Sequence, residues 1–173
     1  MNSNNHITVD QIKNDAEVIK KELVEWRHYL HAHPELSFKE ERTTHYIVNK
    51  LKNFGYTDIQ IGFGPLKTGV MVEIGSGRPC VMLRADIDAL PIQEQTGVEF
   101  CSQSKGVSHA CGHDQPITNL LGVAKLLKKY ENSIKGRVKL LFQPAEETRV
   151  KIYEKPLSGA GYVVRSVAID DVD

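Results

Sequence analysis

Cys-Val-Met-Leu-Arg-Ala at 80–85, running directly into Asp-Ile-Asp-Ala-Leu-Pro at 86–91, is the stretch on which the fold turns. A largely apolar run that stops at two acids and a proline reads as a buried strand with ligand-type residues at its carboxyl end. Open α/β sheets collect their ligands just beyond the carboxyl ends of strands. If the chain stays extended, Asp86 and Asp88, two apart, project to one side. The plainer alternative is a pair of solvated acids opening a turn before Pro91.

On the amino-terminal side, 58–63 alternates apolar and polar residues, whereas 69–74 is more continuously apolar. The runs 69–74 and 80–85 are therefore expected as central strands buried on both faces, joined by a turn at Gly75-Ser-Gly77. A further strand is expected at 137–142. Thr8 and Gln11 fit a capping box opening a helix to about Leu30 or His31, with Ile12, Ala16, Ile19, Leu23, Trp26 and Leu30 on one face. Ser37 and Glu40 fit a second box, opening a helix to about Phe54 with Gly55 just past its end. Helices are also expected at 117–130 and 158–166, an irregular connection at 92–110, and a frayed start at 1–7. The pattern is α/β with a central sheet.

The bulk properties narrow the function. Twenty-two basic and twenty-two acidic residues give zero formal charge, which favours neither nucleic acid nor an anionic membrane as partner. No apolar run reaches the roughly 20 residues of a membrane span, and the polar start is unlike a signal peptide. Three cysteines, Cys80, Cys101 and Cys111, cannot all pair within the chain, so a reducing, cytoplasmic setting is expected.

Two further stretches carry ligand atoms. Cys111 and His113 flank Gly112, whose missing Cβ lets the backbone bend so that thiol and imidazole converge; the pair suits zinc and neighbouring divalent ions. The bland alternative is a free cysteine beside a hydrogen-bonded histidine. Asp114 could cap the following helix, with Pro116 in its first turn. Glu146 and Glu147 follow the 137–142 strand through Gln143-Pro144-Ala145. Neighbouring glutamates point differently, so one can bind an ion while the other handles a proton, the division that metal-assisted hydrolysis requires. Alternatively they are an exposed pair opening a loop. His28, His31 and His33 read as structural, partnering carbonyls at a helix end.

Taken together and in order, four motifs resemble the M20 metallopeptidase family: Trp-Arg-His-Tyr-Leu-His-Ala-His-Pro-Glu-Leu-Ser-Phe at 26–38, Leu-Arg-Ala-Asp-Ile-Asp-Ala-Leu-Pro-Ile-Gln-Glu at 83–94, His-Ala-Cys-Gly-His-Asp at 109–114, and Phe-Gln-Pro-Ala-Glu-Glu at 142–147. The branch resembled is the amidohydrolases of N-acyl amino acids: aminoacylase, hippurate hydrolase and auxin-conjugate hydrolase relatives. The likeness covers roughly residues 20–173. It implies a zinc-peptidase-like α/β catalytic domain, with a central mostly parallel or mixed sheet flanked by helices. It implies two divalent ions, of manganese, zinc or cobalt, with Cys111, His113 and Glu147 as ligands and Cys111 bridging. Glu146 matches the general base and Asp88 the acid that orients the site; Asp86 stands where other branches carry a ligand histidine. The implied substrate is a small N-acyl amino acid, and the full-length form leaves room for a homodimer.

Two departures stand out. Gln115-Pro116 replace the family's usual Gly-His after His113-Asp114, and 148–156 lacks its glycine-rich run. The chain also ends at Asp173, before the family's further ligand histidines and its lid and dimerisation domain. Residues 8–173 are thus expected to be the amino-terminal part of the catalytic domain, incomplete at the carboxyl end. Little activity is expected of residues 1–173 alone, and an apolar sheet edge is expected to be exposed. A non-catalytic remnant or binding module is the competing class. A thiol redox protein is a third, disfavoured because acidic neighbours raise a metal-free thiol's pKa.

Overall fold

The computed structural model describes residues 7–148, 156–166 and 169–173. The expected frayed start, apart from Ile7, and most of the 148–156 segment, residues 149–155, lie outside these residues. Among the described residues, four strands form one mixed sheet in the order β1-β2-β4-β3: β1 (Ile59–Phe63), β2 (Leu66–Ser76), β3 (Cys80–Asp86) and β4 (Gly136–Gln143). β2 runs antiparallel to β1 and β4, and β3 runs parallel to β4 with Asp86 opposite Gln143. That parallel pair brings two carboxyl ends side by side, where the chemistry-bearing residues follow.

One sheet face carries the main core. Val70, Val72, Ile74, Leu140 and Phe142 pack with Ile47 and Leu51 of α2 (Glu41–Phe54) and Ile117 and Leu121 of α3 (Asp114–Lys129). Trp26 and Leu30 of α1 (Val9–Ala32) join them, and α1 closes on α3 where a Cβ on Gly122 would come within 2.9 Å of Leu23. The opposite face buries Met71 and Leu141 with Phe63 and with Val163 of α4 (Gly159–Arg165). Alternate residues of β2 and β4 thus face two layers, as the continuous apolar run at 69–74 implied.

β3 differs from expectation. Among the described residues it is the edge of the sheet, and Val81 and Leu83 are 48% and 39% exposed. A continuous apolar run cannot by itself tell a central strand from an edge, because it says nothing of what lies beside it.

Helix starts divide in the same way. The Thr8 box forms, with the Gln11 amide donating to Thr8 Oγ1 at 3.2 Å and the Thr8 amide to Gln11 Oε1 at 2.8 Å. The Ser37–Glu40 box does not: α2 begins at Glu41, and Glu40 makes no side-chain cap. Glu35 caps instead, taking the amides of Arg42 and Thr43 at 3.2 and 2.8 Å and the Thr43 hydroxyl at 2.9 Å. Ser37 and Glu40 are drawn into long-range bonds that local spacing cannot anticipate. At the other end, Gly55 closes α2 in the left-handed conformation, φ 98°.

Candidate metal centre

The loop that carries Cys111 and His113 ends at α3. Gly112 sits at φ +81°, so the expected backbone bend is present at a position that favours glycine. α3 starts at Asp114, and its cap, His113, makes no side-chain cap bond. The expected Asp114 cap is therefore not formed. Asp114 instead receives Arg27 Nε at 3.1 Å and lies 3.0 Å from His31 Nδ1. His31 Nε2 in turn meets Glu94 Oε1 at 3.0 Å. This network ties α1, the irregular 92–110 segment and the first turn of α3 together beside His113. Of the three histidines read as carbonyl partners, only His33 behaves so, meeting Tyr29 O at 2.7 Å. His28 stacks on Phe100 with ring centroids 3.7 Å apart.

Asp88 is wholly buried beyond the end of β3. Its neighbour Ala89 is bridged to Leu36 and donates to Glu35 O at 2.8 Å, which brings the α1–α2 connection alongside. Ser37 Oγ donates to Asp88 Oδ2 at 2.7 Å, and the Glu147 amide donates to the same oxygen at 2.9 Å. His113 Nδ1 lies 2.9 Å from Asp88 O and 3.3 Å from Asp88 Oδ1. Burial pushes the Asp88 carboxyl up, but the bonds from His113, Ser37 and the turn amides outweigh it and the pKa is lowered. Asp88 in turn raises His113 to about 9, against the opposing effect of its burial. With Nδ1 directed at Asp88, Nε2 remains for the site and stands 3.7 Å from Glu147 Oε1. Asp86 is not in the ligand group: its carboxylate is held by Arg84 at 2.9 and 3.0 Å, though its charge adds to the raising of His113.

The glutamate pair sits on a constrained turn after β4. Ala145 is wholly buried at φ +53°, a left-handed conformation that costs a non-glycine residue about 1–2 kcal/mol. Neighbouring elements hold it there. Ala145 N–H donates to Glu40 Oε1 at 2.8 Å, and Gly159 N–H donates to Ala145 O at 2.7 Å. Glycines flank Pro144: a Cβ on Gly69 would come within 2.5 Å of its ring, and one on Gly159 within 1.6 Å of its carbonyl oxygen. The turn leaves Glu146 exposed and Glu147 half-buried.

The outcome is a convergence. Cys111, His113 and Glu147, far apart in sequence, place ligand atoms within 4.8 Å of one another. Glu147 raises the Cys111 thiol through a hydrogen bond, and burial and the charges of Glu147, Glu146 and Asp88 add to it. That is the reverse of a reactive redox thiol. Glu147 Oε1 is buried without a hydrogen-bond partner among the described residues, as an oxygen facing a cation would be. His109 is buried with neither ring nitrogen bonded among the described residues, and burial lowers it to about 4, so it is neutral near pH 7. Sequence reading missed Glu40, Glu35 and Ser37 as site supports. Ser37 and Glu40 showed only capping-box spacing, and Glu35 carried no local signal beyond its place in the 26–38 motif.

These features define an α/β protein with a thiol–imidazole–carboxylate cluster at the carboxyl ends of two parallel strands. A family model described as Peptidase family M20/M25/M40 matches residues 82–173, and the chain belongs to that family. It is 40% identical over 169 residues to an N-acyl-L-amino acid amidohydrolase of Geobacillus stearothermophilus, covering 96% of this chain and 43% of that one. It is 46% identical over 157 residues to an N-acetyl-L-cysteine deacetylase of Bacillus subtilis, covering 90% of this chain and 35% of that one. A Bacillus subtilis crystal structure described as a dinuclear metal-binding peptidase of the M20 family superposes with a TM-score of 0.78 at 39% identity, over 91% of this chain and 42% of that one. The chain thus spans less than half the length of these relatives.

Proposed function

We propose that residues 8–173 form part of the catalytic domain of a metal-dependent amidohydrolase that cleaves the amide bond of small N-acyl amino acids. One observation carries the reading: Cys111, His113 and Glu147 converge within 4.8 Å, with Glu146 adjacent in sequence. The names of the amidohydrolase and deacetylase relatives support the substrate class. The dinuclear neighbour supports a pair of divalent ions, and soft sulfur with imidazole and carboxylate suits manganese, zinc or cobalt. Free thiols at Cys80, Cys101 and Cys111 support a cytoplasmic setting.

The residues fit the ions. Cys111, His113 and Glu147 would hold them, and bound ions would polarise the scissile carbonyl and acidify water. Asp88 orients His113 through its carbonyl and carboxylate, and fixes the Glu147 backbone with the same side chain. Glu146 is exposed toward solvent, and its role is the proton: it accepts one as the water oxygen bonds to the acyl carbon. It returns that proton to the nitrogen as the carbon–nitrogen bond breaks.

Two constructions test this. A chimera placing residues 1–173 ahead of the remaining length of the Geobacillus relative should cleave N-acetyl and N-benzoyl amino acids with Mn²⁺, Zn²⁺ or Co²⁺ supplied, and Glu146→Gln should abolish turnover. A folded, metal-loaded chimera that leaves both substrates intact refutes amide hydrolysis and favours a non-catalytic module. Residues 1–173 alone, with three ligands, should turn over little; robust turnover lost in Glu146→Gln would overturn that.

A further inference from the structure

Glu40 and Asp88 are both wholly buried carboxylates, at 0% exposure. Asp88 has its place in the site above, whereas Glu40 takes no part in the proposed chemistry and its helix-capping role is not realised. Its two oxygens are nonetheless both engaged: Oε1 by the Ala145 amide at 2.8 Å and Oε2 by the Thr68 hydroxyl at 2.8 Å. A buried acid is a costly way to fill space that a leucine would fill well. What the acid contributes here, and a leucine could not, is an acceptor for a backbone amide in a left-handed residue.

That residue immediately precedes Glu146 and Glu147. The turn is suspended between two buried carboxylates from separate elements. Glu40, at the head of α2, holds Ala145, and Asp88, beyond β3, holds Glu147 two residues later. With both ends fixed, the backbone directions from which the Glu146 and Glu147 side chains leave are fixed as well. Without Glu40, Ala145 keeps its unfavourable φ of +53° but loses the bond to Glu40 that compensates for it, and relaxing the turn would swing the glutamates.

We infer that Glu40 is a positioning residue, whose buried carboxyl locks the Ala145 turn and thereby aims Glu146 and Glu147 at the Cys111–His113 cluster. This rests on the reading of that cluster as an ion site. The defining property is reach rather than charge. A glutamine keeps the length, its carbonyl oxygen accepting from Ala145 and its amide donating to Thr68 Oγ. An aspartate keeps the charge but is a methylene too short to serve both.

The test compares Glu40→Gln, Glu40→Asp and Glu40→Leu with wild type, and with Leu51→Ala, a wholly buried core position toward the opposite end of α2 from Glu40. Co²⁺ affinity is read from the thiolate absorption band, and hydrogen exchange of the Ala145 and Glu147 amides is read without metal. Glu40→Gln should match wild type. Glu40→Asp and Glu40→Leu should lose about tenfold or more in Co²⁺ affinity, the scale of losing an outer support of a metal ligand, and both amides should exchange faster. Leu51→Ala should lose stability but keep its Co²⁺ affinity. Wild-type affinity and protection in Glu40→Asp, the milder variant should Glu40→Leu not fold, overturn the inference. If wild type itself takes up no Co²⁺, the ion-site reading fails, and Glu147 exchange in the metal-free variants still decides whether Glu40 holds the turn.

Discussion

Replacing Gly159 by alanine should destabilise the protein, although helix propensity predicts the opposite. Gly159 is the first residue of α4, and alanine is the better helix former by up to about 1 kcal/mol. Its Cβ, however, would lie 1.6 Å from Pro144 O and 2.6 Å from Pro144 C. Ordinary contact requires the helix start and the turn to part by roughly 2 Å, since non-bonded heavy atoms settle at about 3.5–4 Å. The obstacle is backbone, so no rotamer change relieves it. Overpacking of this kind costs about 1–3 kcal/mol. The 2.7 Å bond from Gly159 N–H to Ala145 O would be lost with it, adding about 1 kcal/mol. The expected loss is about 2–4 kcal/mol, lowering the urea midpoint by on the order of 1 M for a protein with an ordinary denaturant slope. Gly161→Ala is the control: the three atoms nearest its Cβ would all belong to the Leu157 side chain, at 3.0–3.4 Å, with no backbone among them, and its midpoint should change little. Co²⁺ affinity should fall in Gly159→Ala as the glutamate turn shifts. A Gly159→Ala midpoint at or above wild type would refute the reasoning, because α4 would then not be seated on the Pro144 carbonyl.

Two other expectations follow from the supports of the site. Glu35→Ala should cost about 1–2 kcal/mol, as loss of a helix cap does, and should speed exchange of the Arg42 and Thr43 amides. Ser37→Ala should leave those amides unchanged; the reverse pattern would restore the Ser37 capping box. His31 has a raised pKa because its bonds to Glu94 and Asp114 outweigh its burial, the largest single influence and one that lowers it. Its pair therefore contributes fully below the unfolded pKa of about 6.5 and fades as pH rises through the raised folded value. The stability gap between wild type and His31→Gln should be widest near pH 6 and narrow toward pH 9 in denaturant titrations. A gap that widens with pH would show that the histidine does not sit between two carboxylates.

Much was fixed by local physics and legible in order. Apolar runs marked the strands, because burying them outweighs most competing preferences. Thr8 and Gln11 started α1, and Gly55 ended α2, because caps act within one turn. The fold class needs nothing more than that succession of helices and strands. The separate motifs at 86–88, 111–113 and 146–147 also displayed their ligand atoms, and the order of the motifs resembled a family.

Tertiary structure decided what those residues touch. Ser37 and Glu40 have capping-box spacing, yet a hydroxyl or carboxylate satisfies whichever donor or acceptor the fold brings nearest. Here these were Asp88, Thr68 and the Ala145 amide. Asp114 could have capped α3, but α1 delivers Arg27 and His31 to it first. The left-handed Ala145 has no sequence signal, because its strain is offset only by groups from other elements. Whether 80–85 lies inside a sheet or at its edge depends on a neighbour that the run itself does not name. Residue types and their local periods are properties of the sequence. The partners of a buried polar group depend on chain segments distant in sequence, and only the folded chain brings them together.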